Sequence, residues 1–100
     1  MALSPTAVVA ARRNVAQRIE RFLAGLDRAH RPPNRRELYY LRQALHKLEA
    51  GQYPEGEDAM MRAEGPNAIP EHAANDLGTN AMATVTELQA ELDRILKGEG

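Results

Sequence analysis

The bulky apolar residues of this 100-residue chain recur three and four positions apart. Leu38, Leu41, Leu45 and Leu48 follow 3-4-3 spacing, an a/d seam over two heptads. Val8, Val15, Ile19, Phe22, Leu23 and Leu26 form a stripe before it, and Ala81, Val85, Leu88, Leu92, Ile95 and Leu96 a stripe after it. A helical period with no alternating run restricts the chain to an all-α fold. Breakers divide the stripes: Pro32-Pro33, then Gly51, then Gly65-Pro66-Asn67. The pattern predicts helices over about 6–29, 35–50, 54–64 and 80–97, with an irregular link at 65–79. Within that link, residues 70–77 read as a short extra helix ended by Gly78.

End signals support these bounds. Ser4 or Thr6 can cap the first helix. Asn34-Arg-Arg-Glu37 reads as a capping-box variant for the second. Gly51 supplies a left-handed stop. Pro54 suits a first helical position, and Glu55, Glu57 and Asp58 crowd the first turn of the third helix, where the dipole favours acids. Asp58 and Arg62 are spaced to pair at i, i+4, as are Asp93 and Lys97. Thr84-Val-Thr-Glu87 offers a second start for the last helix. Gly56, Ala59, Met60 and Ala63 give the third helix a small-residue face that admits a close neighbour. The short Gln52-Tyr53 link implies an antiparallel hairpin. The expected architecture is one domain over residues 1–100, a small helical bundle. The hairpin of residues 34–64 lies at its centre, and the first and last helices cover its seam.

Composition limits how such a bundle closes. The apolar fraction is 43%, but alanine supplies 17 residues and Leu, Ile, Val and Phe only 19. A core this thin predicts an elongated assembly, or burial against a partner or a second copy. There is no cysteine, which excludes disulfides and thiolate metal sites and is compatible with the reducing cytoplasm, the expected location. No stretch reaches the roughly 20 apolar residues that span a bilayer, so no membrane association is expected.

The near-zero net charge of −1 hides a split. Residues 1–50 carry ten Lys/Arg against four Asp/Glu, a net of +6, and residues 51–100 carry three against ten, a net of −7. On the first helix Arg13, Arg18, Arg21 and Arg28 fall opposite the apolar stripe, with Arg12 at its edge. On the second, Arg35, Tyr39, Arg42 and His46 sit at i, i+4, i+7 and i+11, roughly 125° from the leucine seam. Such a row can grip an anionic strand, with Tyr39 stacking and the arginines meeting phosphates. It can equally be a solvated helix face whose tyrosine lies along a neighbour. A third reading pairs the basic half with the acidic half, within one molecule or between copies.

The segment from Leu48 to Glu64, LEAGQYPEGEDAMMRAE, resembles the turn and second helix of a tetratricopeptide repeat. Gly51, Tyr53, Gly56 and Ala63 match that family in kind and spacing. Gln43 and Lys47 fall where the family places apolar residues, and there is one copy where stacking arrays need about three. The resemblance implies a helical hairpin of that shape and, by analogy, a protein-binding role.

Sites of chemistry are sparse. His30, His46 and His72 have no His or Cys at i+3 or i+4, and two ligands such as His46 and Glu49 do not make a metal site. No Ser or Thr has the context of an activated nucleophile. Met60, Met61 and Met82 fit either a core or an adaptable groove. The expectation is therefore a non-catalytic interaction or adaptor protein, without cofactor or metal. Its partner is another protein or a second copy of itself, and its contact residues are the two arginine-bearing faces. The alternative is an accessory nucleic-acid-binding protein that uses the same faces.

Overall fold

A computed structural model describes residues 4–71 and 82–98. Among them the chain is all-helical, a small bundle of α1 (Pro5–Arg28), α2 (Arg35–Glu49), α3 (Tyr53–Glu64) and α4 (Val85–Gly98). The expected helix at 70–77 and the stripe residue Ala81 lie outside the described residues, apart from Pro70 and Glu71.

Local chemistry sets each boundary. The Ser4 side chain accepts the Ala7 N–H at 3.1 Å, and Pro5 occupies the first helical position. The Asn34 side chain accepts the Glu37 N–H, and Glu37 accepts the Asn34 N–H, both at 2.8 Å, so the capping box is complete. The last helix starts later than residue 80. Residues 82–84 are not helical, and Thr84 Oγ1 accepts the Glu87 N–H at 3.1 Å. The second capping box therefore wins over the upstream start.

Two helices end in the same turn built on different residues. At α1 the His30 and Arg31 N–H groups reach back to the carbonyls of Asp27 and Leu26 at 3.0 and 3.2 Å. At α2 the Gly51 and Gln52 N–H groups reach Leu48 and Lys47 at 3.2 and 2.8 Å. Both are Schellman turns. The left-handed position is Gly51 (φ 76°) in one and His30 (φ 55°) in the other. Glycine adopts this conformation freely, whereas a side chain there costs up to about 1–2 kcal/mol.

The predicted faces are the buried ones. Leu38, Leu41, Leu45 and Leu48 are almost completely buried, as are Val15, Ile19 and Leu23 of α1 and Leu88, Leu92 and Ile95 of α4. Each such side chain stabilises the fold by about 1.5–3 kcal/mol. α2 and α3 form the central hairpin, α1 lies across both, and α4 packs on α1 and α2. The hairpin is antiparallel, since Arg36 near the start of α2 donates to the carbonyls of Arg62 and Ala63 at the end of α3, at 2.9 and 3.2 Å.

Of the two outcomes expected from a thin core, elongation or burial against a partner or copy, the first does not occur. The Cα radius of gyration is 13.6 Å, close to the ~13 Å of a compact domain this long. Small residues make this possible. α3 buries Gly56, Ala59, Met60 and Ala63. A Cβ at Gly56 would stand 3.1 Å from Val15 Cγ1 and 3.6 Å from Lys47 Cβ. Alanine and glycine thus replace bulk with proximity, and a modest set of leucines closes the core.

Candidate functional site

The helices of the hairpin leave a cleft of about 520 Å³ between them. Tyr39, Tyr40, Gln43 and Lys47 of α2 form one wall; Pro54, Glu55, Asp58, Ala59 and Arg62 of α3 form the other, and Pro70 closes an end. The tyrosine rings meet edge to face, with centroids 5.0 Å apart and planes at 76°. Tyr40 is buried, and its hydroxyl donates to the Ala68 carbonyl at 2.6 Å. That bond ties residues 65–70 back onto α2. Across the cleft Arg62 Nε donates to Asp58 Oδ2 at 3.0 Å, the pair expected from i, i+4 spacing. This contact raises the affinity of Arg62 for its proton.

The row read from the sequence shares one residue with this cleft, Tyr39; Arg35, Arg42 and His46 do not line it. Arg35, Arg42 and His46 are exposed, while Tyr39 is half-buried and packs on the core. Arg42 and His46 make no hydrogen bond or ion pair among the described residues. Tyr39 therefore belongs to both features, the row and the cleft.

The arginines of α1 are placed differently. Arg18 makes a bidentate contact with Glu64 of α3: Nε lies 3.0 Å from Oε2 and Nη2 lies 3.0 Å from Oε1. The hydrogen bonds to Glu64 raise the affinity of Arg18 for its proton, and Glu57 adds to the effect. Arg21 lines the same α1–α3 cleft, about 490 Å³, together with Asn14, Phe22 and the two acids. Arg13 is exposed beside Arg12 and Leu96, where Arg12 Nη2 donates to the Leu96 carbonyl at 3.0 Å and caps the end of α4. Arg28 is exposed at the end of α1. The basic and acidic halves thus meet within the molecule at the α1–α3 contact. There Glu57 and Glu64 of α3 stand against Arg18 and Arg21 of α1.

A further charge is held inside. Glu37 is only 5% exposed, and its carboxylate receives Arg31 Nη1 at 2.8 Å and Nη2 at 2.9 Å in addition to the Asn34 N–H. Arg31 first, and then the Asn34 N–H, hold its carboxyl below the usual carboxylate range against an opposing effect of burial. Another interhelical pair, Arg94 to Glu49 at 3.1 Å, is exposed on both sides.

Met60 is core, whereas Met61 and Met82 are among the exposed large apolar residues. His30 and His46 are exposed, and His72 lies outside the described residues. Among the described residues no three His, Asp or Glu side chains gather as metal ligands, and no helix is long and apolar enough to cross a membrane. The sequence reading missed the α3 wall of the cleft and the role of Tyr40. The available signal was the flank carrying Tyr40, Gln43 and Lys47, which a hairpin turns toward α3. Comparison with family models, curated proteins and solved structures returns no match for this chain.

Proposed function

We propose that this chain is a small non-catalytic interaction or adaptor protein that binds its partner through the outer face of α2. One observation carries the reading. Arg42 and His46 stand exposed, without intramolecular partners among the described residues, on the α2 face they share with Tyr39, which itself lines a concave cleft with Tyr40. Arg18, Arg31, Arg36, Arg62 and Arg94 are each engaged inside the molecule. Aromatic and arginine side chains beside a concavity are the usual composition of protein-binding surfaces. The test is affinity capture from native cells with the wild-type chain and with Arg42→Glu, read by mass spectrometry. A protein held by the wild type and released by the variant supports the reading. Identical recovery with both, or nothing beyond a bead control, contradicts it.

The nucleic-acid alternative keeps the same row but has less behind it. The tyrosine that would stack on a base is half-buried against Tyr40, and Arg18 is closed on Glu64. Its signature would be binding to a single-stranded oligonucleotide that weakens steeply as salt rises.

A further inference from the structure

We infer that the face which α1 and α3 share around their cleft is a two-fold interface with a second copy of this chain. This surface is separate from the α2 face of the proposed function and does not rest on that reading.

The face consists of two stripes of opposite charge. Asn14, Arg18 and Arg21 recur at i, i+4 and i+7 on α1, and Glu57, Met61 and Glu64 recur at the same interval on α3. All of them but Met61 line the α1–α3 cleft, together with Phe22. Val15 meets Gly56 and Arg18 meets Glu64, so residue numbers climb in the same direction along both helices. The stripes therefore lie side by side, cations on one flank and acids on the other.

Such a layout is self-complementary. A two-fold axis running along the helices turns the basic stripe of each copy onto the acidic stripe of the other. The charges that gain are those left open within one molecule. Arg21 is exposed and makes no hydrogen bond or ion pair among the described residues. Glu57 is half-buried and acts on Arg18 at longer range, likewise without a hydrogen bond or ion pair among them. Arg18 and Glu64 keep each other in the dimer.

The apolar content and the mixed sign select a copy over other occupants. Met61 stands between Glu57 and Glu64 with 57% of its surface exposed, and Phe22 is half-buried in the cleft. Two-fold closure removes both from water. A nucleic acid or an acidic protein drawn to Arg21 meets Glu57 and Glu64 as well, and a basic partner meets the arginines. A second copy carries both signs at the required spacing. Each stripe advances seven residues, roughly 10 Å of helix at 1.5 Å per residue. A patch this short belongs with the small interfaces, below about 1,200 Å² in total, so the dimer is weak, with a Kd on the order of 10–100 μM.

Sedimentation velocity of the full chain from about 10 to 500 μM, a range that brackets this Kd, is the test. The wild type should pass from monomer to dimer across it, and high salt should loosen the dimer. Arg21→Glu alone and Glu57→Arg alone should each weaken it about tenfold or more, because the two-fold repeats every repulsion. An equimolar mixture of the two variants should recover the wild-type dimer, since each altered charge then faces its opposite at both repeats. Recovery on mixing also shows that neither variant is misfolded. A strictly monomeric wild type, a dimer unchanged in both variants, or a mixture that stays monomeric overturns the inference. So does a dimer that Arg42→Glu breaks, which would assign the contact to α2. Capture of a partner protein is read separately with Arg42→Glu, so the proposed function stands or falls without this result.

Discussion

Two clefts flank α3, and they are close in size, about 490 Å³ on the α1 side and about 520 Å³ on the α2 side. On the α1 side the cation and anion are already joined, Arg18 to Glu64, with Glu57 close by. On the α2 side the wall is aromatic, and Arg42 and His46 point outward without a partner among the described residues. The difference shows that a charge split along the sequence is not one property. Part of the basic half fastens α1 to the acidic helix α3, and part remains for a surface.

Substitutions should separate the two sides. Gly56→Leu has the largest expected effect, because its side chain must displace Val15 at the α1–α3 contact. Overpacking of this kind costs about 2–3 kcal/mol and should lower the melting temperature by on the order of 10 °C or more. An unchanged melt would mean that α1 does not lie this close to α3.

Glu37→Gln comes next, extending the paired set to the α1–α2 link. It should cost about 1 kcal/mol at neutral pH, since glutamine keeps the cap but loses the charge on Arg31. The sign with pH follows from the lowered carboxyl. Its contribution is present above the unfolded value of about 4.3 and is lost as pH falls through the folded value. Denaturant midpoints of wild type and variant should therefore draw together as pH falls from about 4.3 through the lowered folded value; a constant gap would contradict the ion pair.

Arg18→Ala should cost less, about 0.5 kcal/mol, because both partners are a third or more exposed, 33% and 39%. The loss should shrink in high salt. Arg42→Glu should be the mildest, within about 0.5 kcal/mol of wild type, as for other exposed positions. A large destabilisation there would place Arg42 in the fold and out of the proposed surface.

Much of the fold was legible because its signals are local. The leucine seam, the Asn34–Glu37 box, the Asp58–Arg62 pair and the Gly51 stop all act across three or four residues. The small face of α3 was legible too, since glycine and alanine at helical spacing have few other uses. What escaped were contacts between distant positions: Arg36 on the end of α3, Arg12 on the end of α4, Arg18 on Glu64 and Tyr40 on Ala68. Nothing in the spacing says which of many arginines finds which carbonyl or acid. His30 escaped for another reason: the expected helix ran on to Ala29, and histidine is not the default residue for a left-handed turn. Of the basic row, Arg35, Arg42 and His46 are exposed and Tyr39 is half-buried. The cleft beside it appears only when α3 is laid against α2.

The central claim is that the exposed face of α2 around Arg42, and not the α1–α3 cleft where Arg18 is paired with Glu64, meets the partner. Amide chemical-shift mapping tests it most directly, with the partner recovered by affinity capture titrated into the full chain. Shifts should concentrate on Tyr39 to Lys47 and Pro54 to Arg62, with Asn14 to Phe22 unmoved. Shifts centred on Asn14 to Phe22, around Arg18 and Arg21, would contradict it.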